Sequence, residues 1–163
     1  MSSQTDTASL TDVLAAMCWT VSVVTTHHEG TPRGATMNAV MPVSDDPPIA
    51  IVALKRDSEL LAAVRQVGMF GVNVLGTEQA DVAMSFAVKE HAARFEGLDW
   101  ALEAGVPMIA GASAFAACRV DQILEVGDRM LVLGQALQTR GVEQDPLTFY
   151  RRTFGTHTAP SPA

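Results

Sequence analysis

Two stretches concentrate the side chains able to take part in chemistry. The first is "RGATMNAVMPVSDDPP", Arg33 to Pro48. In it Gly34, Thr36, Asn38 and Ser44 stand where a plain strand favours Val, Ile or Tyr. The second is "LKRDSELL", where Lys55 and Arg56 precede Ser58 at a predicted helix start. A helix N-terminus presents unpaired N–H groups and partial positive charge, and so accepts a phosphate. Ser58 adds a hydroxyl there, and Lys55 or Arg56 a full charge. On this motif alone, an N-cap flanked by solvated cations is the plain alternative.

Other chemistries find less support. No G-x-S-x-G occurs, and His27, His28, His91 and His157 fall in predicted loops or the tail, none beside an obvious Ser or Cys partner. A nucleophilic triad is not indicated. The His27-His28 pair lacks two further ligands, so no metal site is expected. Asp45 and Asp46 are adjacent on an extended chain and point to opposite faces, which makes them a poor carboxylate dyad. With Pro47-Pro48 behind them they read as a turn. Cys18 and Cys118 stand far apart and outside any C-x-x-C pair, which predicts two buried, reduced thiols.

The chain of 163 residues is 48% hydrophobic and only 6% aromatic, so one domain with a core of Ala, Val, Leu and Met is expected. A net charge of −7 argues against a reader of nucleic-acid backbones and against attraction to anionic membranes. No signal-peptide pattern is seen, and no apolar run approaches the roughly 18 residues that span a bilayer. A cytoplasmic protein with no nucleic acid or membrane partner is expected.

The elements that must position the two stretches read as follows. "SLTDVLAAMCW" is a helix with Ser9 and Asp12 as a capping pair and an apolar face of Leu10, Val13, Leu14, Met17 and Cys18. "TVSVVTT" is a strand, and "HHEGTPR" a turn. "IAIVAL" is a central strand, "SELLAAVRQ" a helix capped by Ser58, and "MFGVNVL" a strand with Asn73 inside it. Thr77 caps a helix to Ala87, and "KEHAARFEGLDW" is irregular. Ala112 to Val126 forms a long strand that turns on Gly127-Asp128 into a partner beginning at Arg129. Residues 1–9 are expected to be flexible, residues 10–155 to form the domain and residues 156–163 a disordered tail. About six or seven strands paired through hairpins and short crossovers, with three helices, predict a mainly β antiparallel barrel flanked by helices. No G-x-G-x-x-G follows a strand, so a Rossmann site is not expected.

Taken in order, "VSVVTT", "GATMNAVMPVSDDPPIAIVAL", "KRDSELLAAV", "MFGVNVLGTEQADVAMSFA", "RFEGLDW", "GVPMIAGASAFAACRV", "VGDRMLVLGQAL" and "DPLTFYRRTFG" resemble the flavin-reductase-like family. These are small NAD(P)H:flavin oxidoreductases that supply reduced flavin to two-component monooxygenases. The resemblance covers roughly residues 10 to 155. It implies a split β-barrel of the FMN-binding type, a six-stranded antiparallel Greek key with flanking helices, assembled as a homodimer. It implies FMN or FAD as flavin and NADH or NADPH as co-substrate, with a separate oxygenase as partner. By the same carry-over Thr36, Met37, Asn38 and Ala39 meet the polar edge of the flavin, with Ser44 nearby. Lys55, Arg56 and Ser58 hold the phosphate, and Ser85, Phe86, Arg94 and Phe95 close over the ring. No acid or base is obligatory, because the cofactors carry the chemistry. One departure stands out. Many members have His after the Gly-Asp of the late hairpin, where this chain has Arg129, a possible nicotinamide-side contact. The alternatives are a flavin-binding biosynthetic protein of the same fold that has lost or changed the NAD(P)H step, and a barrel that binds no flavin.

Overall fold

A capping box starts the first helix. Ser9 Oγ accepts the Asp12 N–H at 3.2 Å, and the Asp12 carboxylate accepts the Ser9 N–H at 3.0 Å. Helix α1 (Leu10–Ala15) ends earlier than its apolar period suggests and buries none of its residues. Cys18, expected inside, is exposed, because the chain leaves the helix before reaching it. The computed structural model describes residues 8–159. Residues 1–7 of the expected flexible start and 160–163 of the expected disordered tail lie outside them, while Thr156, expected in the tail, ends a strand.

Twelve strands follow among the described residues: β1 (Trp19–Thr20), β2 (Ser22–His28), β3 (Thr31–Met37), β4 (Val40–Asp45), β5 (Pro48–Lys55), β6 (Met69–Val74), β7 (Trp100–Glu103), β8 (Val106–Ile109), β9 (Ala114–Val126), β10 (Arg129–Gly141), β11 (Leu147–Tyr150) and β12 (Thr153–Thr156). Helix α2 (Glu59–Val67) lies between β5 and β6, and α3 (Ala80–Val88) between β6 and β7. The main sheet has seven strands in the order β3-β2-β6-β9-β10-β5-β4, with every pair antiparallel. Its outer strands β3 and β4 are consecutive in the chain but do not pair. They break apart at Asn38-Ala39, so the sheet curls without closing. Ala35 and Met37 of one edge and Val40 of the other pack on the same cluster as Val24, Val52, Phe70, Cys118 and Val132 from between them. That is the expected split barrel, with a seventh strand in its main sheet.

Close approach inside the barrel depends on Gly134. A Cβ there would collide with the Phe70 ring, which fills the centre of the core. A second cluster joins Val21, Val23, Leu75, Phe86, Phe95 and Leu147 outside the barrel, under α3. Phe95 meets Phe86 edge-on at 4.8 Å and Trp100 at 5.5 Å between centroids. A small sheet, β1-β11-β12, extends it.

Thr77 does not cap α3. Residues Thr77–Gln79 form a 3-10 turn, and the Gln79 side chain accepts the Gly76 N–H at 3.0 Å instead. The stretch expected to be irregular leads into the β7–β8 hairpin. Buried Asn73 pins that hairpin to the barrel. Its amide donates to Val23 O at 3.3 Å, Thr25 Oγ1 at 3.3 Å and Pro107 O at 3.2 Å, and its oxygen accepts the Ile109 N–H at 2.7 Å. Thr25 Oγ1 donates to Pro107 O at 2.6 Å. At the outer end, hydrogen bonds from Arg140 and Gln138 hold the Glu103 carboxylate below its usual pKa.

Candidate functional site

A cleft of about 470 Å³ opens between β3, the C-terminal end of β5, the start of α2 and the end of α3. This volume suits a small-molecule site. Ala35, Thr36 and Met37 come from β3, and Ala53, Leu54 and Lys55 from β5. Asp57, Ser58 and Leu60 belong to the start of α2, Phe86 and Ala87 to α3, His91 and Arg94 to the segment behind it, and Arg129 to the first position of β10.

Each element reaches the cleft for a local reason. Helix α2 starts there because Ser58 Oγ accepts the Leu61 N–H at 3.2 Å, which leaves the Glu59 and Leu60 amides without an intrahelical partner. It stops at Gly68, which takes a left-handed conformation with φ of 72°. Helix α3 lies close on β3 because position 34 has no side chain. A Cβ on Gly34 would stand 2.8 Å from Phe86 Cε1 and 3.2 Å from Val24 O. Thr36 Oγ1 completes that contact by donating to Ala83 O at 2.6 Å.

Arg94 closes one wall. Its guanidinium donates to Gly34 O at 2.7 Å and to Lys89 O at 2.9 Å, and lies 3.0 Å from His91 Nδ1. Guanidinium has only donors, so Nδ1 accepts and the His91 ring proton sits on Nε2. Burial pushes the Arg94 pKa down, against the pull of Glu59 and Glu90, and the group stays a cation. Outside this wall Arg33 pairs with Glu59 at 3.0 Å.

The lining carries three basic side chains, Lys55, Arg94 and Arg129, against one carboxylate, Asp57, in a chain of net charge −7. Its remaining wall is largely apolar, from Ala35, Met37, Ala53, Leu54, Leu60 and Phe86. An apolar wall beside basic side chains and a helix start suits a planar ring system carrying a phosphate, such as a flavin nucleotide.

Of the residues nominated from sequence, Thr36, Met37, Lys55, Ser58, Phe86, Arg94 and Arg129 line this cleft together. The others do not line it. Asn38 and Ala39 form the break between β3 and β4, where Ala39 O accepts the Ala53 N–H at 3.1 Å. Ser44 lies farther along β4, opposite Ile49. Arg56 is engaged at the β9–β10 turn, with Gly127 O and Glu125 both at 2.5 Å. Ser85 lines a shallower hollow of about 150 Å³ beside α3, with Asp81 and Lys89. Phe95 supports Phe86 from behind. Sequence reading passed over Asp57 and His91. Asp57 lies inside the quoted "KRDSELL" motif, whereas His91 sits in a segment without period.

Comparison with known proteins agrees with this reading. The family profile described as "Flavin reductase like domain" matches residues 14–158. The reductase component of 4-nitrophenol 4-monooxygenase/4-nitrocatechol 2-monooxygenase from Rhodococcus opacus is 33% identical over 150 residues, spanning 92% of this chain and 80% of that protein. The NADH:riboflavin 5'-phosphate oxidoreductase of Streptomyces pristinaespiralis is 34% identical over 160 residues, spanning 95% and 90%. Among solved structures, the NADH:FAD oxidoreductase of Streptomyces globisporus with NAD and FAD fragments superposes with a TM-score of 0.86 at 29% identity, covering 94% of this chain and 93% of that one.

Proposed function

We propose that this chain, which belongs to the flavin reductase-like domain family, is an NADH-dependent flavin reductase supplying reduced FMN or FAD to a separate monooxygenase. The observation that carries the reading is the cleft between β3, β5 and α2, which joins an apolar wall to the basic side chains Lys55, Arg94 and Arg129.

Bound together, the nicotinamide and flavin supply the redox chemistry, a hydride transfer between stacked rings. The chain supplies position. Lys55, Ser58 and the first amides of α2 would hold the phosphate. Ala35, Thr36 and Met37 bring backbone and short side chains along one ring edge, and Phe86 forms the far wall. Arg94 fixes the loop after α3 to β3 and so sets the width of the cleft. No residue has to gain or lose a proton for hydride transfer. This accords with a site in which basic side chains outnumber the single carboxylate, Asp57.

Aerobic oxidation of NADH by the purified chain with added FMN or FAD is the direct test. Turnover well above the flavin-free rate is expected. Flavin binding without reduction by NADH would favour the alternative in which the reductase step is lost.

A homodimer is part of the proposal. Leu10, Val13, Leu14 and Met17 expose an apolar stripe at the N-terminal end, and Met41 and Val43 expose apolar side chains on edge strand β4. Faces of this kind are normally covered. Asn38 and Ala39 precede β4 and Ser44 lies within it, so a second copy there would bring them near a bound ligand. Light scattering at micromolar concentration should return twice the chain mass.

A further inference from the structure

Lys55 and Arg129 are direct cross-strand partners at the end of the β5–β10 ladder. Both line the cleft, so their side chains share one face. Like charges placed opposite each other across two strands repel and destabilise the pair. Asp57 lines the same cleft but makes no ion pair with either of them. Among the described residues no carboxylate lies within ion-pairing distance of Lys55. Arg129 Nε has only Asp128 at 3.7 Å, and that side chain is 89% exposed.

The surroundings hold the pair in place. Arg56 donates to Gly127 O and pairs with Glu125, both at 2.5 Å, while its own N–H donates to Asp128 O at 3.3 Å. These contacts fasten the β9–β10 turn to the end of β5 and fix where Arg129 emerges. Arg56, nominated as a ligand residue, is a positioning residue in this arrangement. A repulsive pair placed by strand register beside the first turn of a helix is complete when an anion sits between its members.

The geometry points to Lys55 and Arg129 as one clamp that takes a single phosphoryl group of a nucleotide ligand. This rests on the flavin reductase reading and assigns Arg129 to the phosphate end of the cleft rather than to the nicotinamide ring. Guanidinium suits the role, since its fork of donors matches phosphate oxygens while the lysine acts as a point charge.

The anion comes either from the flavin or from the dinucleotide, and substrates lacking phosphate tell them apart. FMN and riboflavin are titrated by fluorescence quenching against the wild type, Arg129→Ala, Arg129→Gln, Arg129→Lys, Lys55→Ala and the double variant. With the flavin phosphate in the clamp, Arg129→Ala and Lys55→Ala each weaken FMN about tenfold and riboflavin less than about twofold. The double variant then loses less than the product of the two, because both hold one group. Arg129→Lys keeps most of the preference, and Arg129→Gln, which preserves size, loses it. If FMN preference is unchanged, the same variants are compared with NADH and dihydronicotinamide riboside as reductants. Loss of the preference for NADH then places the dinucleotide diphosphate in the clamp. Inorganic pyrophosphate should raise the melting temperature of the wild type and not that of the double variant. Equal losses for FMN and riboflavin, or no change in either preference, overturn the clamp. NADH oxidation with riboflavin by the wild type tests the reductase reading separately, since the wild-type clamp is intact and turnover there does not depend on which phosphate it holds.

Discussion

The corner where β2, β6 and the β7–β8 hairpin meet and the cleft between β3, β5 and α2 both place polar side chains on strands, to opposite ends. In the corner every polar atom is used. Asn73 makes its contacts to Val23, Thr25, Pro107 and Ile109, and no buried side-chain nitrogen or oxygen among the described residues lacks a partner. In the cleft, Lys55 and Arg129 keep unfilled capacity, and the Glu59 and Leu60 amides of α2 have no intrahelical partner. A polar residue in a strand is a ligand contact only where the fold has left its bonding capacity free. Thr36 shows the boundary: it lines the cleft, yet its hydroxyl proton is already given to Ala83 O.

The contrast can be broken most sharply at Asn73. Asn73→Ala orphans the Ile109 N–H and frees two strands from the hairpin, and should cost about 3 kcal/mol or more in urea unfolding. The folded fraction should bind FMN within about twofold of wild type. A loss below about 1 kcal/mol would show that the corner does not hold the hairpin.

Next in size is the closed interior at Cys118. Burial pushes its thiol up to about 11 from 9.0. The native state then keeps its proton where the unfolded state has lost it, so stability falls as pH rises between about 9 and 11. The loss should amount to roughly 2–3 kcal/mol and be missing from the pH profile of Cys118→Ala. In the native protein a thiol reagent should label exposed Cys18 and not Cys118.

Lys55→Ala reverses the pattern of Asn73. It should weaken FMN about tenfold, near 1.4 kcal/mol, while leaving the urea midpoint within about 0.5 kcal/mol. A variant that loses stability instead would place Lys55 with the structural polar residues. The smallest effect belongs to Thr36→Val, which removes one hydrogen bond to α3 and should cost about 1 kcal/mol. FMN affinity should hold within about twofold, and a larger drop would make the Thr36 hydroxyl oxygen a direct ligand contact.

Hairpins were legible in sequence where their turns used residues that announce them. Glu29-Gly30 and Gly127-Asp128 were marked by glycine, and the strands on either side follow. The β11–β12 hairpin was hidden because it turns on Arg151 and Arg152, at φ of 46° and 65°, where neither residue signals a turn. The β7–β8 hairpin turns on Ala104-Gly105, with Ala104 at φ of 48°, in a segment whose burial does not alternate clearly. The Ser9 and Ser58 caps were readable because a cap is local, involving residues three positions apart.

By itself the sequence determined the antiparallel β character, the caps of α1 and α2, the placing of Lys55 just ahead of the helix cap Ser58, and the family resemblance carried by ordered motifs. All of these rest on residues near one another in the chain or on their order along it. Tertiary structure decided which polar residues are free to bind. It sent Arg56 to the β9–β10 turn, Asn73 to the hairpin and Thr36 to α3, and it set Arg129 beside Lys55. The reason is strand register. Pairing across a sheet joins residues distant in sequence, and only that pairing shows whether a polar group finds its partner in the fold or keeps it for a ligand.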